Sequence, residues 1–347
     1  MTEQPQDAAP QQLFLAHAGD GVVATCELDA DGTLTETARC EVGPGATALA
    51  LDRPRDRMFV SVRSDPPTVV TVRIDEAGGL TPVSRTEVAN SLTYLSVDPS
   101  GHTLLAVSYG GGFGVSMPIA ADGTVGAVAS RVEHANLHSV IVSDDGRFAY
   151  LASLGEDVIA QCSLVDGRLV PLDPPTVAAP PKSGPRHLVL SADGRNVYCS
   201  TEFSGEAIRF TRDPETGLLT RAEAVSAIDE SRGLKHSELG ADPVEGHLIW
   251  GADLHLSPDE RFLFVSERCE STLVGIAVGE DGALEGQVSI TETVRQPRGF
   301  GITPDGHLIA VGEKSDEVVA YAIEADGSLT VTSRIPGGRK SNWVAIR

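Results

Sequence analysis

The chain alternates short apolar runs with polar turns, and no long window repeats apolar residues at the 3.6-residue spacing of a helix. In one pattern an apolar residue is followed by a turn and then by a run rich in Val, Leu, Phe and Tyr. It occurs as LDRPRDRMFVSV, VDPSGHTLLAVS, VSDDGRFAYLAS, LSADGRNVYCST, LSPDERFLFVSE and ITPDGHLIAVGE. Pro-Asp-Gly and Asp-Asp-Gly turns between such runs are typical of β-hairpins. The pattern therefore predicts an all-β protein built from repeated hairpins.

A second pattern, in which a glycine-containing turn precedes Leu or Val, recurs seven times out of phase with the first. It reads DADGTL, EAGGL, AADGTV, VDGRL, PETGLL, GEDGAL and EADGSL, with its glycines at Gly32, Gly78, Gly123, Gly167, Gly217, Gly282 and Gly327. Successive glycines are 46, 45, 44, 50, 65 and 45 residues apart. Repeats of this length, each with about four short strands, describe the blades of a β-propeller. We therefore predict a seven-bladed β-propeller with four-stranded blades.

The two patterns differ by one copy, which is explained if both ends of the chain share a blade. The C-terminal segment NWVAIR would pair with the N-terminal segment QLFLAHAGDGVVATCEL, closing the ring and removing its exposed edges. We expect a disordered tail over residues 1–12 and a single propeller domain over residues 13–347. The 65-residue gap predicts an insertion loop at about residues 222–249, over one face of the ring.

Ionisable residues collect at two positions of the hairpin pattern, counted from the apolar residue that opens each copy. Position −4 holds Thr47, Thr93, His138, Arg186, Ala252 and Arg298, and position +12 holds Arg63, Tyr109, Leu154, Glu202, Arg268 and Lys314. The first strand of a blade lines the channel and the second runs antiparallel to it about 5 Å away, so both positions lie at one mouth of the channel. His187 and His255 lie in the same strands, and strand alternation leaves open whether either points into the blade. We predict that the ionisable residues of the last four copies meet at this mouth.

The overall charge limits the ligands that such a protein binds. A formal net charge of −22 disfavours nucleic acid and anionic membrane surfaces as partners. A basic cluster in so acidic a chain predicts a small anionic ligand. The sequence does not determine the oligomeric state, and a monomer is compatible with it.

Five scattered cysteines without a CxxC pair favour reduced thiols in a cytoplasmic protein. The N-terminus lacks the basic and apolar regions of a signal peptide, and no apolar run approaches the ~20 residues of a membrane span. The chain contains no GxSxG, HExxH or Walker motif, and we expect neither a cofactor nor a metal.

Several segments resemble the lactonase family of seven-bladed propellers, typified by bacterial 6-phosphogluconolactonase of the propeller type. They are NSLTYLSVDPSG, LHSVIVSDDG, SGPRHLVLSADG with YCSTE, WGADLHLSPDERFLFVSER, and QPRGFGITPDG with VGEKS. The family also contains carboxymuconate cyclases. The resemblance implies a site formed by His138, Arg186, Glu202 and Arg268, and hydrolysis of a phosphorylated sugar lactone such as 6-phospho-D-glucono-1,5-lactone.

Lactone hydrolysis needs a base for the attacking water, positive charge for the oxyanion and an acid for the ring oxygen. His138 is the only imidazole at the two positions and is the predicted base, while Arg186 and Arg268 provide fixed positive charge. Glu202, between two arginines, should have a lowered pKa, which favours an orienting or base role over an acid role. We assign His187, His255, Arg298 and Lys314 to substrate binding.

Two other functions fit the same residues. One is a muconate-type cyclase or another sugar lactonase, and the other is a non-catalytic propeller that binds anionic ligands on this face. A propeller scaffold does not choose among them. A histidine and a glutamate beside the arginines favour an enzyme, because anion binding alone needs no carboxylate.

Overall fold

Seven four-stranded antiparallel sheets surround a central channel in the computed structural model, which describes residues 10–347. Each sheet is one blade, and the predicted fold is confirmed. Most of the predicted N-terminal tail, residues 1–9, lies outside the described residues. The first strand begins at Gln11, so Gln11 and Gln12 belong to a strand rather than to the predicted tail.

Each blade contributes one strand to each of four concentric positions, and we number the blades from the N-terminus. The inner strands of blades 1–7 are β28 (Ser341–Ile346), β4 (Ala46–Asp52), β8 (Tyr94–Val97), β12 (Leu137–Val142), β16 (Pro185–Leu190), β20 (Gly251–Leu256) and β24 (Pro297–Ile302). The second strands are β1 (Gln11–His17), β5 (Arg57–Val62), β9 (Thr103–Ser108), β13 (Phe148–Ser153), β17 (Asn196–Thr201), β21 (Phe262–Glu267) and β25 (His307–Gly312). The third strands are β2 (Val22–Leu28), β6 (Thr68–Ile74), β10 (Phe113–Pro118), β14 (Val158–Val165), β18 (Glu206–Arg212), β22 (Thr272–Val278) and β26 (Glu317–Ile323). The outer strands are β3 (Leu34–Glu41), β7 (Leu80–Glu87), β11 (Ser130–Glu133), β15 (Arg168–Ala178), β19 (Leu219–Ser226), β23 (Leu284–Glu292) and β27 (Leu329–Pro336).

Both ends of the described chain form blade 1. The C-terminal strand β28 pairs antiparallel with β1, with Leu13 opposite Ile346, while β2 and β3 complete the sheet. The Arg347 N–H adds a hydrogen bond to the Gln12 carbonyl (2.9 Å). The ring is therefore closed by main-chain pairing, as the unequal number of repeats predicts.

The two sequence patterns correspond to two kinds of turn. The six hairpin copies connect inner to second strands in blades 2–7, and blade 1 lacks this turn because its inner and second strands come from opposite ends of the chain. The seven glycines connect third to outer strands, with φ between 71° and 89°. Glycine suits these positions because a Cβ atom disfavours positive φ.

The apolar core lies between neighbouring blades. Phe59 of β5 packs with Leu104 of β9, and Phe264 of β21 packs with Phe300 of β24. Each blade thus buries its faces against the next, so the inner strands keep fixed positions around the channel.

The insertion lies between blades 5 and 6, beginning after Ser226 and ending before Gly251. The predicted range of residues 222–249 therefore overlaps the end of β19. The insertion contains a 3₁₀ turn (Glu230–Arg232) and a four-residue α-helix, α1 (Pro243–Gly246). A second 3₁₀ turn spans Arg53–Arg55, and no helix within residues 10–347 has the length and apolar character to cross a membrane.

Candidate active site

The channel end at which the inner strands begin, which we call the mouth, carries most of the predicted residues. The cavity there is lined by Thr47, Arg63, Thr93, His138, Arg186, His187, Arg298, Asn342 and Trp343. These residues lie in the inner strands of five blades, directly before the inner strand β8 (Thr93) and directly after β5 (Arg63). Six separate blades therefore contribute side chains to one small site.

A β-bulge at the start of β16 presents two consecutive side chains to the mouth. The pairing register shifts by one residue between Pro185 and Leu188, so Arg186 and His187 together face Ser200 of β17. The Ser200 hydroxyl accepts a hydrogen bond from the His187 N–H (3.3 Å). The same shift occurs in the inner strands of blades 2, 4, 6 and 7. Because bulges re-aim side chains, strict alternation does not hold at the mouth.

Arg186, Glu202 and Arg268 form a buried ion cluster beside the mouth. Arg186 Nε donates to Glu202 Oε2 (2.8 Å), and Arg268 Nη2 donates to the same oxygen (2.9 Å). The two arginine side chains are 1% and 2% exposed. The Arg268 guanidinium lies 3.9 Å from the centre of the Trp250 ring, where a cation–π contact holds it in place. The structure thus brings together three of the four residues that the family resemblance implies.

This cluster carries a net positive charge that is available to an anionic ligand. Burial raises the pKa of Glu202, but the charges of Arg268, Arg186 and Arg298 outweigh burial and hold that pKa below its ordinary value. Glu202 is therefore ionised at neutral pH and neutralises one of its two guanidinium partners. Arg186 Nη1 is buried and has no hydrogen-bond partner among residues 10–347. An anion at the mouth would satisfy this donor.

His138 lines the mouth, and no carboxylate among residues 10–347 contacts it directly. Its ring is 5.1 Å from that of His187 and 6.0 Å from that of Tyr109. No hydrogen bond joins His138 to Glu202 in the described structure, so Glu202 does not orient this histidine directly. Burial, reinforced by the charge of Arg186, lowers the pKa of His138 well below its ordinary value. His138 is therefore a neutral imidazole at physiological pH.

His187 does have a carboxylate partner, Asp253 of β20. The His187 Nδ1 to Asp253 Oδ1 distance is 2.7 Å, and the two side chains are 5% and 12% exposed. Asp253 also accepts backbone hydrogen bonds from Leu254 (3.0 Å to Oδ1) and Phe300 (3.2 Å to Oδ2). This carboxylate is fixed from three sides.

His255 does not reach the mouth, contrary to the predicted binding role there. Its Nε2 is 3.4 Å from Asp253 Oδ2, and its ring lies against Phe300 with 4.8 Å between centroids. It lines a separate cavity of about 280 Å³ at the other end of the channel. Beyond the bulge the side chains of β20 alternate again, so His255 points in the same direction as Asp253 but lies two residues farther from the mouth.

Lys314 is also absent from the mouth, and Glu313 takes the equivalent position. In blade 7 Ile302 pairs with Leu308, six residues later, whereas in blade 5 Leu190 pairs with Val197, seven residues later. The shorter turn moves position +12 back by one residue. Lys314 is exposed, while Glu313 Oε1 lies 3.4 Å from Arg298 Nη1.

Arg63 and Arg298 form a second cationic part of the mouth. Arg63 makes no salt bridge within residues 10–347, and Arg298 has only its loose contact with Glu313. Burial, together with the nearby charge of Arg298, lowers the pKa of Arg63. Two close guanidinium groups with little compensation form an anion-binding arrangement.

Sequence reasoning missed Asp253, Glu313 and Asn342, and it placed Arg63 at the right position without assigning it a role. The shorter turn PDGH of blade 7 was a readable signal for Glu313. Asp253 comes directly after position −4 of blade 6, as His187 does in blade 5. The Arg-His pair of blade 5 therefore indicates that the residue after position −4 can also face the mouth.

A larger depression of about 650 Å³ lies between blades 5 and 6, at the other end of their hairpins. Its charges are largely paired internally. Arg209 Nε lies 2.7 Å from Glu223, and Arg261 Nε lies 2.6 Å from Asp259. Because paired surface charges leave little for a ligand, the mouth remains the candidate functional site.

The fold and the site define a seven-bladed propeller with a buried, arginine-rich site at one end of its channel. The sequence matches the family profile "Lactonase, 7-bladed beta-propeller" over residues 12–346, and the chain belongs to this family.

Similar proteins cover almost the whole chain. It is 30% identical to the 6-phosphogluconolactonase of Pectobacterium carotovorum and 28% identical to that of Serratia proteamaculans, over 97% of this chain and 98% of each relative. Among solved structures, a Bacteroides fragilis protein superposes with a TM-score of 0.87 at 20% identity, covering 99% of this chain and 100% of that one. The periplasmic gluconolactonase of Pseudomonas aeruginosa superposes with a TM-score of 0.84 at 23% identity, covering 97% and 99%. The structural matches establish the fold.

Proposed function

We propose that this protein hydrolyses 6-phospho-D-glucono-1,5-lactone to 6-phosphogluconate. Its family membership and the full-length relatives named 6-phosphogluconolactonase support a hydrolase that acts on a lactone. The observation that carries the proposal is the buried Arg186–Glu202–Arg268 cluster beside the neutral imidazole of His138. It combines fixed positive charge with a proton acceptor, as ester hydrolysis requires.

In the proposed reaction a water oxygen bonds to the lactone carbonyl carbon while His138 takes a proton from that water. Arg186, through its unpartnered Nη1, donates to the oxyanion of the tetrahedral intermediate. Collapse of the intermediate breaks the bond to the ring oxygen, and the protonated His138 returns its proton to that oxygen. Glu202 is ionised, so it holds the two arginines in place rather than acting as the acid.

Arg63 and Arg298 bind the phosphate in this proposal, because they are the mouth cations with least compensation. Arg63→Gln should raise KM for the phosphorylated lactone by about tenfold, and leave KM for unphosphorylated gluconolactone unchanged. Arg53→Gln is the matched control, since Arg53 lies at the other end of the channel and donates to the Ile346 carbonyl. Equal effects of Arg63→Gln on both lactones would refute this assignment.

We also propose a cytoplasmic location and a substrate as the principal partner. All five cysteines are unpaired, and Cys26, Cys40, Cys162 and Cys199 are buried, as suits a reducing compartment. Arginine and histidine side chains provide every role in the proposed reaction, so it needs no cofactor.

The decisive experiment compares freshly generated 6-phosphogluconolactone with gluconolactone, with and without a chelator. Acid release is followed at constant pH, and the spontaneous hydrolysis rate is subtracted. We expect a strong preference for the phosphorylated lactone and no effect of chelator. If neither lactone is turned over but phosphorylated sugar acids bind tightly, the protein is a binding module instead.

A further inference from the structure

The contact between His187 and Asp253 fixes the tautomer of the histidine. An ionised carboxylate only accepts hydrogen bonds, so the 2.7 Å contact requires a proton on His187 Nδ1. Burial raises the pKa of Asp253, but His255 and His187 outweigh burial and hold it well below its ordinary value, so the carboxylate is ionised. Nε2 of a neutral His187 is then unprotonated and can only accept.

The second nitrogen of His187 and one nitrogen of His138 are complementary. His187 Nε2 and His138 Nδ1 are both buried, and neither has a hydrogen-bond partner within residues 10–347. Their rings are 5.1 Å apart and inclined at 55°. Unpartnered buried nitrogens are rare in native proteins, and at this ring separation a rotation of the His138 ring would let these two satisfy each other. With His187 Nε2 as acceptor, His138 Nδ1 must carry the proton.

We propose that Asp253, acting through His187, fixes His138 with its proton on Nδ1 and with Nε2 free to accept a proton at the mouth. Asp253 and His187 are thus positioning residues for the base. The catalytic part of this inference rests on the proposed hydrolase function, whereas the tautomers do not depend on any substrate.

The hydrogen-bonded series Asp253–His187–His138, which we call the relay, works with neutral imidazoles. Burial, followed by the charge of Arg186, lowers the pKa of His187 to about 4, and the pKa of His138 is lowered for the same reasons. The ionisable groups around this pair on the surrounding blades include Arg63, Tyr94, Tyr109, Arg186, Asp253, Arg268 and Arg298. The cations among them disfavour protonation, so the orientation of the neutral tautomers decides which nitrogen is basic.

The wild-type protein offers a substrate-free test. Two-bond ¹H–¹⁵N spectra of the ¹⁵N-histidine-labelled protein at pH 7 distinguish Nδ1–H from Nε2–H tautomers, and His138→Asn and His187→Asn assign the signals. We expect Nδ1–H for both histidines. An Nε2–H tautomer for His138 would overturn the proposal.

Asp253→Asn should invert the relay, because the new amide can donate to His187 Nδ1. His187 then carries its proton on Nε2 and donates to His138, which leaves no free acceptor at the mouth. We expect both tautomers to switch and kcat to fall by ~10²–10⁴-fold with KM within about twofold. Unchanged tautomers, or an unchanged kcat, would contradict the inference.

Asp305→Asn is the matched control, because Asp305 accepts from His307 Nδ1 (3.2 Å) in the β24–β25 turn, remote from the mouth. It should leave kcat and both mouth tautomers unchanged. If the wild-type protein lacks lactonase activity, the proposed function is wrong, whereas the tautomers of His138 and His187 are still tested independently by the spectra. If the wild-type protein is active and Asp253→Asn is equally active, only the relay fails.

Discussion

Glu202 stabilises the fold as well as the site, because it compensates two buried guanidinium groups. Glu202→Gln should lower the free energy of unfolding at pH 7 by ~3–5 kcal/mol, the usual cost of breaking a buried ion pair. The folded-state pKa of Glu202 lies below its ordinary value of 4.5. Its stabilisation is therefore present above pH 4.5 and is lost as the pH falls through the folded-state pKa.

Thermal unfolding of wild type and Glu202→Gln from pH 7 to pH 3 measures this difference. The difference in stability between the two proteins should become smaller as the pH falls. Glu313→Gln is the control, since Glu313 makes only a 3.4 Å contact with the half-buried Arg298 and should cost far less. A Glu202→Gln protein as stable as wild type at pH 7 would show that the cluster contributes nothing to folding.

His138 is the residue on which turnover depends in the proposed reaction. His138→Asn preserves much of the side-chain volume but removes the proton acceptor, so kcat should fall by ~10²–10⁴-fold while KM changes little. Steady-state kinetics on the phosphorylated lactone measures both constants. His102→Asn, in the exposed turn between β8 and β9, should retain wild-type kinetics. Comparable activity of the two variants would exclude His138 as the base.

At the level of single residues, the sequence predicts the cluster better than its surroundings. Arg186, Glu202 and Arg268 follow from hairpin register alone, because antiparallel pairing brings the ends of adjacent strands together. Asp253 does not follow from register alone, since its inward direction depends on a bulge that leaves no mark in the hydrophobic pattern and is indicated only by the Arg-His pair of blade 5. Lys314 was misplaced because one turn is a residue shorter than the others.

At the level of the strand pair, the bulge is the element that builds the mouth. The Ser200 hydroxyl donates to the Ala252 carbonyl (2.8 Å) of the next blade and accepts from the His187 N–H. It thereby ties the bulge of β16 to the inner strand that carries Asp253. Distortion of this bulge would move Arg186 and His187 together.

Ser200→Ala should lower kcat by about tenfold and the free energy of unfolding by ~1 kcal/mol, the usual worth of one hydrogen bond. Ser61→Ala removes the equivalent bond to the Leu92 carbonyl (2.8 Å) in blade 2, which carries the proposed phosphate ligand Arg63 but none of the groups that act in the chemical step, so the comparison is made on kcat. It should therefore cost similar stability but retain activity. Denaturant unfolding and steady-state kinetics are measured on both variants. Equal kcat values would show that the geometry of the bulge does not depend on the Ser200 hydrogen bond.

Element boundaries follow from the sequence where turns repeat, and less well where they do not. The glycine turns locate all seven third-to-outer connections because only glycine accepts that backbone conformation without cost. The predicted insertion begins five residues too early at its N-terminal end, because the polar outer strand β19 resembles a loop. In β19 only Leu219 is buried, and the strand lacks the apolar run that marks the inner strands.

At the level of the whole molecule, closure of the ring and construction of the mouth share one strand. β28 places Asn342 and Trp343 in the mouth cavity, and the Trp343 ring lies 4.9 Å from Tyr94 and 6.0 Å from His187. Loss of this strand would open blade 1 and remove one wall of the site.

Deletion of residues 342–347 should therefore abolish activity and lower the melting temperature by more than 10 °C, since several kcal/mol of pairing and burial are lost. Thermal unfolding followed by circular dichroism measures the change. Trp343→Phe, which keeps the strand, should lower activity with a much smaller effect on melting. A truncated protein that melts like the full-length chain would contradict closure by β28.

The shared blade also sets the order of events during synthesis. Of the 28 strands within residues 10–347, β1 is made first and its neighbour β28 is made last. Until then β1 has an unpaired edge, and exposed edges are sites of mispairing and aggregation. The nascent chain must keep this edge from other partners through the translation of six blades, so a chain that terminates early retains an exposed edge that is prone to aggregation.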